Sequence, residues 1–435
     1  MLRASRAVAF VLACGASACT CSKGSAPASG DAASGEDAAV ATREAEAPAV
    51  AQAAGLSAPI AASRGDAGDV VVAGLDVPAK AIRVQRISSK DEVVADKTIL
   101  EGVSWSSDAE LKMAPAGAGV AITWRGLRGG RLVRQHVVLG ADLAAKGEPI
   151  EVAAASCATQ DGFWFTDGAR AHGRPWSGST VSTTLPKHDD AAIVCGAHRA
   201  FALLDEEESA SLVVLGGDAG AMTVLKDSDF GEDEQRERAE FTVGDDLGVV
   251  RLATSGALAV RELHGGALGP LRKLKRRIPH DDDVVAVDAS ASTIVVIYTQ
   301  DVGEGCAKTG GSGPSTKVTA LRVDRAGEGE EVIELSPGTC GREVGPFFTG
   351  VIGDEVSVAW IERVPGGSLK SARAPIAALA HRVVKAAGAS VARVEQPADA
   401  IVDAGCDATR CYAVALVRRP GADGMVPGFA RVLRY

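Results

Sequence analysis

The feature that most constrains the fold is a strand pattern the chain uses twice. Gly117-Ala-Gly-Val-Ala-Ile-Thr-Trp124 returns as Gly353-Asp-Glu-Val-Ser-Val-Ala-Trp360, with the same spacing of Gly, two β-branched residues and Trp. Alternation of Val120, Ile122 and Trp124 puts three apolar side chains on one face of a half-buried strand. After the first copy, Gly129-Gly130 supplies the positive φ angles of a tight turn before Arg131-Leu132-Val133; Gly366-Gly367 and Leu369 fall within one residue of the matching positions after the second. The repeated unit is expected to be a β-hairpin.

Strand-like runs recur between these copies and beyond them. The strongest are Gly119 to Trp124, Gly162 to Phe165, Ala200 to Leu204, Gly248 to Ala253, Thr293 to Tyr298, Val356 to Trp360 and Ala413 to Val417. Partner strands are expected at Leu212 to Leu215, Leu258 to Leu263, Val318 to Val323 and Leu369 to Ala372. Starts spaced roughly 40 to 60 residues apart mark a radial array of small sheets. The expected fold is all-β, a β-propeller of six to eight blades, with seven fitting best; tandem β-sandwiches are the alternative. No Trp-Asp-ended repeat, kelch double-Gly pattern or other blade signature is present, so no particular propeller family is indicated. Pro375 to Lys385 carries helix formers, yet Val383 and Val384 suit a strand equally well.

Residues 19–68 read differently. From Ser22 to about Gly68 the chain is Ala, Ser, Gly, Pro and acidic residues with almost no large apolar side chain, which predicts a disordered tether reaching on the order of 35 to 40 Å. The folded region is accordingly expected over 69–435. Aromatics make up only 4% of the chain, so the core must be built from Val, Leu, Ala and Ile. A net charge of −10 argues against nucleic acid as a partner, because that affinity rests on Lys and Arg neutralising phosphates.

Residues 1–18 have the pattern of an export signal. Arg3 and Arg6 precede the apolar run Ala7 to Ala13, and the small residues Ala16-Ser-Ala18 precede Cys19. This stretch resembles the signal peptides of bacterial lipoproteins, which implies a lipid on Cys19 as the mature N-terminus and attachment to the membrane through it. Val11-Leu-Ala-Cys14 is a competing site that would leave a shorter apolar region. Thr20 after the lipidated Cys, by the same resemblance, implies sorting to the outer membrane. Six further cysteines, Cys157, Cys195, Cys306, Cys340, Cys406 and Cys411, read as up to three disulfides in an oxidising compartment, and adjacent pairing gives the most local loops.

No metal ligand set, cofactor motif or catalytic motif is present in the sequence. His280-Asp-Asp-Asp283 and Lys187-His-Asp-Asp190 lack calcium-loop spacing and read as solvated turns. Asp205 to Glu208 and Gly231 to Glu240 read as charged exposed loops. Leu271-Arg-Lys-Leu-Lys-Arg-Arg277 reads as an edge strand guarded by cations. His172, Arg174 and Trp176 form the most site-like local group, in what reads as a Gly/Pro-containing loop. The expected function is a non-enzymatic scaffold or interaction module at the cell envelope, contacting an envelope protein through loops such as Gly303 to Ser315 and Asp227 to Glu240. A secreted propeller enzyme acting on envelope glycans is the alternative.

Overall fold

The computed structural model describes residues 51–434 apart from short stretches, of which the longest are 226–234, 307–314, 364–376 and 385–395. The N-terminal signal pattern, including Cys14 and Cys19, lies outside the described residues. The described chain forms eight antiparallel sheets, six of four strands and two of five. The seven strands read from the sequence are each an inner strand of a sheet, paired on both edges. They are Gly119–Arg128, Gly162–Thr166, Ala200–Asp205, Asp246–Ala253, Thr293–Asp301, Glu355–Arg363 and Cys411–Gly421, in sheets two to eight. In sheet two that strand follows two shorter ones, Val103–Ser104 and Glu110–Ala116, which both pair with it. Trp124 and Trp360, the ends of the repeated pattern, occupy matching strands of sheets two and seven and are 1% and 0% exposed.

The additional sheet explains the difference between seven strand runs and eight units. Sheet one is built from Ser57–Arg64, Val70–Asp76, Ala81–Ile87 and Val93–Glu101, so its first strand lies inside the expected tether. The boundary at residue 69 is therefore corrected. Ala61, Ala62 and Ser63 are buried because Ser57–Arg64 lies against both Glu110–Ala116 of sheet two and Ala400–Cys406 of sheet eight. Small side chains suit a strand packed between two neighbours, and they are the same residues that make a segment look unable to bury a core. Upstream of it, Ala51–Ala53 pairs with Gly424–Arg434, Ala51 opposite Val432, as the outermost strand of sheet eight.

Apolar alternation fills the junctions between successive sheets. Val72 of sheet one packs in one cluster with Val414 of sheet eight, and Val84 of sheet one with Trp124 of sheet two. Trp164 and Leu204 join sheets three and four, Phe201 and Val249 join four and five, and Val250 and Ile294 join five and six. Val295 and Trp360 join six and seven.

Three local expectations change. The first hairpin turns at Gly129 and Gly130, with φ of 58° and 81°, as the sequence suggests. In sheet seven, however, the partner of Glu355–Arg363 is Ala377–Val384; Gly366-Gly367 and the partner expected at Leu369 to Ala372 lie outside the described residues. The same pairing makes 377–384 of the stretch from Pro375 to Lys385 a strand, with Val384 opposite Val356, while Pro375 and Lys385 themselves lie outside the described residues. Finally, Gln235–Val243 is the first strand of sheet five, so Glu240 belongs to a strand and not to a loop.

The disulfides are Cys157–Cys195, Cys306–Cys340 and Cys406–Cys411, the adjacent pairing. Cys157 lies in the first strand of sheet three and Cys195 in the first strand of sheet four, so that bond crosses a junction. Cys406 and Cys411 face each other across one hairpin.

Candidate functional site

In a four-stranded meander the first and third turns share one end of the sheet and the second turn lies at the other. Two first turns have the same chemistry. Val243-Gly-Asp-Asp246 and Ile352-Gly-Asp-Glu355 are two-residue turns whose glycines have φ of 59° and 56°. A Cβ at either glycine would meet nothing within 4 Å, so the dihedral and not the space calls for Gly. The aspartate that follows reaches back to the first turn of the preceding sheet. Asp245 Oδ1 accepts hydrogen bonds from the amides of His198 (2.6 Å) and Arg199 (3.2 Å). Asp354 Oδ1 accepts from the Ser290 hydroxyl (2.7 Å) and the Ser292 amide (3.1 Å), and its Oδ2 accepts from the Ser292 hydroxyl. Hydrogen bonds from Ser292 and then Ser290 hold the Asp354 carboxyl below its ordinary range. His198 also meets Asp161 of sheet three, Nδ1 to Oδ2, at 2.8 Å. First turns are thus fastened across sheets three, four and five, and across six and seven.

A second group lies on sheet three, around the His172 and Arg174 singled out in the sequence. Both belong to the strand Arg170–Pro175, which corrects the loop expected there; Trp176 lies outside the described residues. Strand alternation sorts Phe163 and Phe165 to one face and Trp164 to the other, where it packs with sheet four. Gly173 sits under that indole: a Cβ there would come within 2.6 Å of it, so Ala171-His-Gly-Arg174 has room for no larger residue at its third position.

On the phenylalanine face the rings form a ladder. Phe165 stacks on His172 with centroids 4.9 Å apart, and Phe163 lies 5.8 Å from Phe165. Phe163 in turn stacks on His136 of sheet two. His136 is 1% exposed, its Nδ1 is 3.2 Å from the Thr123 hydroxyl, and its Nε2 has no hydrogen-bond partner among the described residues. Burial, with the nearby Arg174 charge adding to it, pushes the His136 pKa down to about 3.

At the other end of the ladder, His172 Nε2 meets Asp167 Oδ2 at 2.9 Å and His172 Nδ1 meets Ser182 Oγ at 2.8 Å. Asp167 is held in turn by its own loop, Oδ1 accepting from the amides of Ala169 (3.0 Å) and Arg170 (2.8 Å). The hydrogen bond from His172 and those amides bring the Asp167 carboxyl down to about 2. No sequence motif marks Asp167, Ser182, His136 or the two phenylalanines; the alternation in Gly162-Phe-Trp-Phe-Thr166 is the available signal.

The remaining sequence candidates are not brought together. Among the described residues no group of three or more His, Cys, Asp or Glu side chains could hold a metal ion. Asp281 and Asp283 are exposed, as a solvated turn requires, whereas Asp282 is 2% exposed, which corrects that reading at this one residue; His280 lies outside the described residues. Asp190 opens the first strand of sheet four and Asp205 closes the second; 206–209 lie outside the described residues. Arg272–Arg277 is a strand paired with Ala257–His264, and Glu330 of sheet six accepts from the amides of Lys275 and Arg276 at 2.8 Å each. Most of the Gly303 to Ser315 loop is outside the described residues.

No protein-family description matches the chain, and no curated protein matches it in sequence. Among solved structures it is similar to hydrazine synthase of Kuenenia stuttgartiensis, at 13% identity and a TM-score of 0.41 over 78% of this chain and 99% of that one. It is also similar to a mutant of AofleA from Arthrobotrys oligospora, at 12% identity and 0.35 over 78% and 86%. A third likeness is to acylaminoacyl peptidase of Pyrococcus horikoshii, at 12% and 0.42 over 75% and 52%. At this distance none of them assigns an activity to this chain.

Proposed function

We propose that the chain is an extracytoplasmic β-propeller of eight blades, held at the cell envelope by a lipid on Cys19, that serves as an interaction module for an envelope protein. The observation that carries this reading is the row of first turns fastened to one another by Asp161, Asp245 and Asp354. Loops already held in place lose little freedom on association, so such an end is suited to a macromolecular partner. The propeller reading is supported by the sequential meanders, by first strands lying side by side from sheet to sheet, and by the N-terminal strand that completes the last sheet. Three disulfides fit an oxidising compartment outside the cytoplasm. Outer-membrane placement rests on the resemblance at Cys19-Thr20.

The test places a photocrosslinking residue at exposed Ala291, in the first turn of sheet six, and separately at exposed Leu132, beside the opposite-end turn of sheet two, in cells of the source organism. A discrete adduct from Ala291 and none from Leu132 is expected, and Cys19→Ala should release the protein from membranes and abolish that adduct. Equal adducts from both positions, or none from either, would overturn the interaction reading. Retention of Cys19→Ala in membranes would overturn the anchor.

A further inference from the structure

We propose that Asp167, His172 and Ser182 form an acyl-transfer site that hydrolyses short-chain carboxylic esters, an activity separate from the binding end described above. The geometry is that of a nucleophile, a base and an orienting acid. A serine hydroxyl lies within hydrogen-bond reach of one imidazole nitrogen, and a carboxylate holds the other. Asp167 is itself fixed by two amides, so the imidazole is oriented from a rigid turn. The face of the Phe165 ring packs against His172 and limits its rotation. Ser182 is exposed on Val181–Thr184, the edge strand of sheet three, where a substrate has access.

The register supplies an electrophilic group as well. Leu185 donates its amide to the carbonyl of Ala169, and Ser182 is directly opposite His172 in the same ladder. Hydrogen-bonded and non-hydrogen-bonded pairs alternate along an antiparallel ladder, which puts Ser182 in a non-hydrogen-bonded pair. Its side chain therefore stands close to His172, and its own N–H points away from the neighbouring strand, off the sheet edge. That amide is placed to donate to an oxyanion forming at the carbon attacked by the same residue.

In the first half-reaction Ser182 Oγ forms a bond to the acyl carbon while its proton passes to His172. The ester C–O bond then breaks and the alcohol leaves with that proton. In the second half-reaction water attacks the acyl-serine, giving a proton to His172, and the carboxylic acid departs as Ser182 takes the proton back. Asp167 touches neither substrate nor reacting atoms; it is a positioning residue.

The full chain is to be treated with a fluorophosphonate probe, the labelled peptide mapped, and p-nitrophenyl acetate hydrolysis followed through its first turnover. Stoichiometric label on Ser182 and a burst of about one product per chain are expected. Ser182→Ala should abolish the label and reduce the rate roughly 100-fold. Asp167→Asn should lower kcat with KM unchanged, and Asp167→Glu should restore part of it. Thermal unfolding of each variant, with Ser182 exposed and outside the core, reports that the fold is kept. Label at another residue, absence of label, or a Ser182→Ala rate equal to that of the natural chain would overturn the proposal. Because Ala291 crosslinking is read independently, failure of this site leaves the interaction reading standing.

Discussion

His136 is a titratable residue almost wholly closed off from water, 1% exposed. Its ring is closed in between sheets two and three, and its pKa falls from the ordinary 6.5 to about 3. The unfolded chain therefore binds a proton at this residue well before the folded chain does, and stability present above pH 6.5 is lost as pH falls from there toward 3. At pH 5 the penalty is about 2 kcal/mol, one and a half units of proton affinity. Asp167 does not confuse this window. Its carboxyl is ordinary at 3.8 and about 2 in the fold, so its contribution is complete above pH 3.8 and lost only below it. His136→Gln keeps a polar group beside Thr123 and removes the titration. Urea unfolding at pH 7.5 and pH 5 should show the natural chain losing about 2 kcal/mol between the two, and the variant losing much less. An equal loss in both would place the acid sensitivity elsewhere.

At the scale of the element, the hairpin turns at Gly244 and Gly353 are set by a dihedral alone. An L-residue in the left-handed region costs about 1 kcal/mol or somewhat more, so Gly244→Ala and Gly353→Ala should each lower the urea unfolding free energy by roughly that amount. Asn, which tolerates this region, should cost less at both positions; a larger loss for Asn than for Ala would show that space and not φ governs the turn. These turns also show what the sequence made legible. Inner strands are legible as buried apolar runs, rich in Val and Ile in Thr293–Asp301 and aromatic in Gly162–Thr166. First strands are less legible, since Ser57–Arg64 is built mostly of small residues and Gln235–Val243 has charged residues near its start. The Gly-Asp repeat was present in the sequence at Gly244 and Gly353, but only the contacts of Asp245 and Asp354 with earlier turns reveal its use. The Asp167, His172 and Ser182 cluster spans three segments, and cross-strand register is what unites it.

For the described residues as a whole, the most consequential pairing joins their first and last strands. Ala51–Ala53 covers the outer edge of Gly424–Arg434, and Ser57–Arg64 lies against Ala400–Cys406. Interactions between neighbouring sheets elsewhere join units adjacent in sequence, so this junction is the one whose closure brings together segments nearly the whole chain apart. A chain beginning at residue 49 keeps Ala51–Ala53 and should unfold at the same temperature as the full chain. A chain beginning at residue 56 keeps all of sheet one but bares the edge of Gly424–Arg434, whose unpaired amides and carbonyls become a template for pairing with another copy. It should melt lower and form concentration-dependent oligomers in light scattering. The staples act on the same balance from the unfolded side. Cys157–Cys195 and Cys306–Cys340 close separations of 38 and 34 residues, each worth roughly 3 to 4 kcal/mol by loop entropy, yet neither spans the terminal junction. Intact disulfides should therefore fail to rescue the shorter chain. Identical melting and association for the chains beginning at 49 and 56 would show that Ala51–Ala53 contributes nothing to closure.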